Sequence, residues 1–298
     1  MGFYAPAQLV QDARRHGVEV RAVDVTASGW DCTLERADDA SVLPQHPDYA
    51  GIRQPQPAVR LGLRMVAGLP EAAVQRLVAA RAEAPFATTQ DLALRAQLGT
   101  LEINALAAAD ALLPLAGHRR QQVWEASAIK AAPQLLKAVP THETPLSLPD
   151  TPEGENILFD YQATGLTLRC HPLALLRPRL AQKGLLSAEQ LNALPDGRQV
   201  AACGIVTVRQ QPQTAKGTIF ITLEDETGPV NVIVWKSLRE TQRDEVLHAR
   251  LLAVHGVWQR SEDADKKGYG AVRNLVAQRL EDLTPLLGRL GTASRDFH

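Results

Sequence analysis

The chain has 298 residues, of which 45% are hydrophobic, and its formal net charge at pH 7 is −1. This length and composition predict a globular protein of two or three domains and exclude a disordered chain. The longest apolar runs, such as ALAAADALLPLA, fall short of the roughly 20 residues that span a bilayer. Since the first residues also lack the pattern of a secretory signal, we expect no membrane segment and a cytoplasmic location.

The number and spacing of the cysteines and histidines argue against a disulfide-bonded or metal-bound fold. The three cysteines, Cys32, Cys170 and Cys203, are odd in number and far apart, which does not suit a disulfide framework or a CxxC metal site. We therefore predict buried free thiols. The eight histidines show no zinc-binding spacing, so no protein-bound structural metal is expected.

Charge is distributed unevenly along the chain. Two mildly basic blocks, residues 51–131 and 198–280, alternate with two acidic ones, residues 1–50 and 140–197. Such alternation is typical of a chain in which some segments face a polyanion and others do not.

Residues 1–50 are predicted to be a short α/β piece. A helix is expected from about Pro6 to His16, followed by strand-like alternation in VEVRAVDV and DCTLE. Because this piece is too short for a complete doubly wound domain, we interpret it as the remnant of a larger one. The prolines of residues 43–57 predict an extended surface connection to the next block.

The middle of the chain is predicted to be helical. Helical periodicity dominates residues 51–137, and a Pro-rich linker without apolar periodicity follows at residues 138–155. Residues 156–197 form a helical connecting segment, in which Ser187 is the expected N-cap of a helix with Gln190 at its third position.

From Arg198 the hydrophobic period changes to two. Five strand candidates are RQVAACGIVTVRQQ, GTIFITLED, GPVNVIVW, ARLLAVHGVWQR and GYGAVRNLVAQRL, and the amphipathic helix SLRETQRDEVL separates the third from the fourth. This order is typical of a five-stranded OB-fold barrel, here over residues 198–285 with a tail at 286–298. The predicted fold class is thus a multi-domain α+β protein with a helical region followed by this barrel.

The helical region contains turns typical of tandem helix-hairpin-helix motifs, which grip a DNA phosphate with main-chain N–H groups. Gly68-Leu69-Pro70 precedes one predicted helix, and Gly99-Thr100 precedes another. Pro70 replaces the second glycine of the usual turn and supplies one N–H fewer, so the alternative is an ordinary helix start. The block is rich in arginine, which suits phosphate contacts as well as solvated helix faces. The candidate DNA-binding residues are Arg64, Gly68, Leu69, Gly99, Thr100, Arg119 and Arg120.

OB-folds bind single strands on strands two and three and with the adjoining loops, where aromatic rings stack on bases and cations follow phosphates. Burial in the core is the alternative for Phe220 and Trp235, because alternating strands bury half their side chains. Trp258 and Lys236 lie in the same regions. The candidates are Lys216, Phe220, Trp235, Arg260, Lys266, Lys267, Tyr269 and Arg273.

Acidic clusters at residues 224–226 and 263–265 are interpreted as turn formers rather than as ligands of catalytic metal ions. No phosphate-cradling GxxxxGK[ST] motif and no Ser/His/Asp arrangement is found, so no catalytic residue is predicted in this chain.

Several segments resemble the C-terminal portion of error-prone DNA polymerases of the DnaE/ImuC type, which are C-family enzymes related to the replicative polymerase III alpha subunit. They include LGLRMVAGLP, ATGLTLRCHPL, TAKGTIFITLEDETG and the terminal SRDFH, and the resemblance covers essentially the whole chain in the family's order. In this family tandem helix-hairpin-helix motifs and an OB-fold follow a PHP domain, a palm with three catalytic aspartates, a thumb and fingers. Neither the PHP histidines nor the palm motif is found here. The resemblance therefore implies a fragment that begins near the end of the fingers, with no cofactor of its own and Mg²⁺ only in the missing palm.

The same resemblance implies a mutagenic, damage-tolerant DNA polymerase (a nucleotidyltransferase) acting in the DNA-damage response, repair and translesion synthesis. Its implied partners are primer-template DNA, ImuA/ImuB-type mutagenesis proteins and the sliding clamp. Residues 145–148, Pro-Leu-Ser-Leu, only faintly resemble a clamp-binding peptide, and a plain linker is the alternative. A scaffold that docks accessory proteins through the barrel and residues 156–197 is the alternative to DNA binding.

Overall fold

The computed structural model describes residues 5–36, 56–129, 148–261, 272–288, 290 and 295–297. By its internal packing the chain divides into two units, Met1–Arg169 and Cys170–His298. The sequence-derived domain boundaries stay a prediction. Within residues 156–197, the early part lies in the first unit and the later part in the second.

The first unit begins with a helix and a small sheet. Helix α1 spans Pro6–Arg15, and strands β1 (Val20–Arg21), β2 (Thr33–Glu35) and β3 (Ala58–Arg60) follow. The central strand β3 is parallel to β1 and antiparallel to β2. The two predicted strand regions are thus shorter than expected. Their central partner β3 comes from the block that was predicted to be helical.

An ion-paired carboxylate fastens this small sheet. Arg60 Nε lies 3.0 Å from Glu35 Oε1, and Arg21 Nη1 lies 2.9 Å from Glu35 Oε2. Hydrogen bonding from Arg60, reinforced by Arg21, holds the pKa of Glu35 below its usual value. All three strands are therefore linked by side chains as well as by their backbones.

Six helices complete the first unit and enclose its core. Buried side chains from α2, α3 and α4 meet in one apolar cluster, which includes Leu77, Leu92, Ile103 and Leu106. The helices are α2 (Glu71–Glu83), α3 (Thr89–Arg95), α4 (Thr100–Ala108), α5 (Leu113–Ala116), α6 (Arg119–Ala128) and α7 (Glu153–Thr164).

The second unit opens with helices α8 (Pro172–Gln182) and α9 (Ala188–Asn192). The predicted cap of α9 is confirmed, because Gln190 N–H donates to Ser187 Oγ and Ser187 N–H donates to Gln190 Oε1. Ala188 and Leu191 of this helix pack into the core of the barrel.

The predicted fold class is confirmed, because a helical region is followed along the chain by a closed five-stranded barrel. Strand β4 pairs antiparallel with β7 and with β5, β5 pairs with β6, β6 pairs parallel with β8, and β8 pairs with β7. A short strand, β9 (Arg295–Phe297), adds in parallel to the end of β4. The five barrel strands are β4 (Arg198–Gln210), β5 (Ile219–Glu224), β6 (Pro229–Val234), β7 (Leu251–Ser261) and β8 (Val272–Asp282).

Glycines allow the closest strand contacts of the barrel. A Cβ at Gly204 would lie 2.7 Å from Leu223 Cβ, and one at Gly256 would lie 1.9 Å from the carbonyl oxygen of Val276. Gly256 also lies at an irregularity in the β7–β8 register. Only residues without a side chain permit the backbones to approach this closely.

Two predictions about this unit and the cysteines need correction. The helix expected between the third and fourth barrel strands is two short helices, α10 (Lys236–Thr241) and α11 (Arg243–His248), because the backbone leaves the helical region at Gln242. Cys203 is buried as predicted, but Cys32 and Cys170 are exposed. Across the described ranges, every helix is too short or too polar to cross a membrane.

The cysteines provide a test of this packing. Burial raises the pKa of Cys203 to about 12, so its thiol stays protonated and shielded at pH 8. We expect a thiol reagent to modify Cys32 and Cys170 rapidly in the folded chain, and Cys203 only after denaturation. Three rapidly reacting thiols in the native protein would contradict the packing of β4.

Candidate nucleic-acid interface

One cleft of about 550 Å³ lies on the barrel where β5 begins and β6 ends. Phe220 is 39% exposed and Trp235 is 52% exposed, so the core alternative does not hold for either ring. Phe220 lies opposite Ile233 in the β5–β6 register, and Trp235 follows two residues after Ile233. Both rings line this cleft.

Apart from Ala215 and Ile233, the remaining lining of the cleft is polar or cationic. Sequence reasoning missed its small polar members, although the period of two places residues 218, 220, 233 and 235 near one another. The lining residues are Thr214, Ala215, Lys216, Thr218, Phe220, Ile233, Trp235, Lys236 and Ser237.

Two of the lining residues of the cleft are lysines. Lys216 is exposed and has φ +48°, in the left-handed region that non-glycine residues rarely adopt. Gly217 follows with φ +87°, and a Cβ there would lie 3.4 Å from the aliphatic carbons of Lys236. The stem of Lys236 thus lies against the loop that carries Lys216. Both lysines line the cleft together with the exposed rings, and Lys236 Nζ lies 3.7 Å from Glu240 Oε1.

Other predicted barrel contacts are placed differently. Arg260 is exposed and lies opposite the half-buried Arg273 in the β7–β8 register, and the Nε atom of Arg273 is buried without a partner among the described residues. Trp258 is 2% exposed and belongs to the barrel core, which corrects its assignment to a binding region. Lys266, Lys267 and Tyr269 lie outside the described residues, so their contacts stay a prediction.

The first hairpin turn is open but has only a short first arm. A single 3-10 turn, Leu63–Met65, stands where the first helix was expected. Gly68 has φ +77°, and no atom lies within 4 Å of the position of an added Cβ. Leu69 is buried in the core, and Pro70 is the N-cap residue of α2. The backbone at Gly68 is therefore accessible to a close ligand.

Arg64 flanks this turn on the surface. Its guanidinium lies 2.5 Å from Asp31 Oδ1 and 6.0 Å from the ring centre of Trp30. Since both partners in the ion pair are well exposed, this pair contributes little to stability.

The second hairpin turn, between α3 and α4, is already occupied by an anion from the chain. Gly99 N–H donates to Glu102 Oε2 at 2.5 Å, and the other oxygen of Glu102 lies 3.2 Å from Arg76 Nη2. Thr100 is the exposed first residue of α4. A carboxylate thus lies where a phosphate would approach the start of this helix.

Adjacent arginines at the start of α6 have different environments. Arg119 is 2% exposed, donates to the carbonyl oxygen of Asn156 at 2.6 Å, and pairs with Asp160 and Asp110. Arg120 is half-exposed and lies 3.7 Å from Glu155. Arg119 therefore has a structural role in the first unit, and it is left out of the interface proposed below.

Three further arginines of this unit connect segments of its backbone. Arg81 donates to the carbonyl oxygens of Val25 and Ser28, both at 2.9 Å. Arg76 donates to Ala96 and Gln97, and Arg95 donates to Ala80, Ala84 and Pro85. Much of the arginine content that suggested phosphate contacts is thus used within the protein.

The acidic cluster at 224–226 is structural. Asp225 Oδ1 accepts from the N–H groups of Thr227 and Gly228, and Arg177 pairs with both Asp225 and Glu226. These residues form the turn between β5 and β6, as interpreted from the sequence. Residues 263–265 lie outside the described residues. Among the residues that are described, no group of three His, Cys, Asp or Glu side chains is arranged to hold a metal ion.

Fold and site together define a nucleic-acid-binding chain with hairpin and OB-fold domains. Residues 17–122 match the family of the helix-hairpin-helix motif, and residues 200–283 match the OB-fold nucleic acid binding domain. A solved structure of asparaginyl-tRNA synthetase from Pyrococcus horikoshii covers 33% of this chain and 22% of its own, at 21% identity with a TM-score of 0.27. That similarity is too weak to support a functional conclusion.

Two sequence relatives show which kind of protein this chain resembles. The error-prone DNA polymerases of Ralstonia nicotianae and of Azoarcus sp. are 52% and 55% identical to this chain, over 100% of it and 26% of their own length. The resemblance noted in the sequence is confirmed, because the whole chain is similar to the C-terminal part of error-prone DNA polymerases. It spans about a quarter of the length of these relatives.

The contrast between Arg119 and Arg120 is testable in the first unit. Replacing Arg119 with Ala removes the buried cation beside Asp160 and Asp110, but Arg169 still lies 2.9 Å from Asp110 and 3.6 Å from Asp160. We therefore expect a loss at the lower end of the range for breaking a buried ion pair, about 3 kcal/mol in the free energy of unfolding. Replacing Arg120 with Ala removes an exposed ion pair and should cost about 0–1 kcal/mol. Chemical denaturation of both variants measures the difference, and equal losses would contradict the burial of Arg119.

Proposed function

We propose that this chain is the DNA-binding part of an error-prone DNA polymerase, with the barrel cleft holding the single-stranded template. The observation that carries the proposal is the joint exposure of Phe220 and Trp235 beside Lys216 in one cleft. Singly exposed apolar side chains are common on folded domains, whereas apolar groups gathered in one place mark sites that bind a partner.

Single-stranded nucleic acid matches this mixture of groups. Each base offers a face that stacks on an aromatic ring, worth about 1–3 kcal/mol per base. The phosphates between successive bases are attracted to Lys216 and Lys236. Both rings lie on the side of β5 and β6 that OB-folds use for binding, and Lys216 lies in the loop between the first and second strands.

The first unit contributes duplex contacts in this proposal. The open turn at Gly68, with Arg64 beside it, is the favoured phosphate site, because its backbone is accessible and the Arg64 ion pair is exposed. The turn at Gly99 is less favoured, since Glu102 already satisfies its N–H group. Thr100 and Arg120 provide weaker secondary contacts.

Functions of the whole polymerase extend the proposal. We expect a DNA-directed DNA polymerase active in DNA-damage-induced mutagenesis, repair and translesion synthesis, located in the cytoplasm. Its catalysis and Mg²⁺ would reside in a palm domain outside this chain, and ImuA/ImuB-type proteins and the sliding clamp would be its partners. Residues 145–147 of the faint clamp-binding peptide lie outside the described residues.

Removing the rings tests the cleft directly. We expect Phe220→Ala and Trp235→Ala each to weaken the binding of a fluorescent oligothymidine by about fivefold or more, because each loses a stacked base. Trp124→Ala is the matched control, since this tryptophan is 54% exposed on α6, outside the barrel. Fluorescence anisotropy at low salt provides the affinities.

Unchanged binding in both ring variants would overturn the cleft as the DNA site. Absence of binding by the intact chain would favour the alternative, a scaffold for accessory mutagenesis proteins. A pull-down of ImuA/ImuB-type proteins after nuclease treatment then measures that second function.

The salt dependence of DNA binding tests the contribution of Lys216 separately. Replacing Lys216 with Gln should reduce the slope of log Kobs against log salt by about 0.7, the value for one phosphate contact with single-stranded DNA. Lys183→Gln is the control, because this lysine is about half exposed at the C-terminal cap of α8 and pairs with Glu281. The same slope in the Lys216 variant and the unmodified chain would exclude Lys216 from phosphate contact.

A further inference from the structure

The short strand β9 lies along the last three residues of β4. In parallel pairing, Arg295, Asp296 and Phe297 are partners of Val208, Arg209 and Gln210. On the opposite edge, the same β4 residues pair with Thr222, Ile221 and Phe220 of β5. The end of β4 is therefore enclosed by backbone on both edges.

This position is where the barrel leaves an edge open. Strand β7 pairs with β4 from Arg198 to Ile205, where Ile205 lies opposite Leu251. Beyond that pair β4 continues to Gln210, and β9 takes the place beside it that β7 has left. An unpaired stretch of strand would otherwise expose free N–H and C=O groups.

The pairing connects β9 to the cleft through one row of residues. Phe297 is the partner of Gln210, Gln210 of Phe220, and Phe220 of Ile233. Phe220 and Ile233 both line the cleft. The loop that carries Lys216 begins directly after Gln210, so the residues held by β9 are the base of this loop.

The interior side of β4 is anchored at the same level. Arg209 is buried, and its guanidinium donates to the carbonyl oxygens of Val246, at 2.8 Å, and Ala249. Together with β5 and β9, these bonds hold the end of the strand on three sides. The loop, residues 211–218, extends from this anchor, and near its far end Arg239 donates to the carbonyl oxygen of Gly217 at 3.5 Å.

We infer that β9 is a strap that closes the free edge of β4 and keeps the Lys216 loop in the arrangement that receives single-stranded DNA. The part of this inference that concerns DNA rests on the proposed function of the cleft, whereas the closing of the β4 edge does not. A loop ordered in advance loses less conformational freedom when a strand binds, which increases affinity without adding a contact.

Hydrogen exchange measured by mass spectrometry tests the strap in the full chain. One variant ends after Ser294, and a second carries Asp296→Pro, which removes a backbone N–H and disfavours strand pairing. Asp296→Ala is the matched control, because it keeps the backbone able to pair. We expect faster exchange at residues 206–218 in the first two variants, with residues 198–205 unchanged and the control like the intact chain.

Affinity for oligothymidine is measured on the same proteins. The truncated and proline variants should bind about three- to tenfold more weakly than the intact chain and the Asp296→Ala control. Unchanged exchange at residues 206–218 would overturn the strap. Faster exchange throughout the barrel strands would also overturn it, because β9 would then support the whole fold.

The two proposals can fail separately. Faster exchange at 206–218 with unaltered affinity would overturn the role of the strap in DNA binding while the ring variants still test the cleft. If the intact chain does not bind oligothymidine, the proposed function fails, and the exchange result alone decides whether β9 holds the loop.

Discussion

Closure of the barrel depends on β4, which must pair with β7 along its first part and with β5 along its second. The exchange of partners requires close backbone contact, and Gly204 permits it, since a Cβ there would overlap Leu223. Once β5 is held in this way, β6 follows in antiparallel register. The beginning of β5 and the end of β6 then form a surface on which two aromatic rings are displayed rather than buried.

The first unit contains many helix ends and turns within a short segment of the chain. Carbonyl groups at helix ends lack partners within their own helix. Arg76 and Arg95 supply donors for such carbonyls. Arg81 does the same for carbonyls in the loop between β1 and β2, and Arg119 neutralises two acids in the interior. Planar guanidinium groups with several donors suit this task better than lysine. The abundance of arginine therefore reflects the construction of this unit, and relatively few of these cations remain for DNA.

Much of the barrel could be predicted, because alternation along five strands is a strong and local signal. Alternation does not show which face of a strand points outward, because that depends on packing between distant parts of the chain. The sequence therefore left Phe220 and Trp235 undecided between core and surface, and it assigned the buried Trp258 to a binding region. Arg119 and Arg120 are neighbours of the same type, and only the packing of α7 distinguishes them. Strand β3 has three residues and depends on partners distant in sequence, which explains why a helical block concealed it. The break at Gln242 likewise carries no glycine or proline to announce it.

Lys216 occupies a backbone conformation that an asparagine or glycine would adopt at lower cost. Glycine there would relieve steric crowding, yet it would remove a positive charge and enlarge the conformational freedom of the unfolded chain. Local stability and ligand recognition thus favour different amino acids at this position. Engineering for thermal tolerance should therefore begin elsewhere, because the easiest local gain would remove a cation from the cleft proposed to bind DNA.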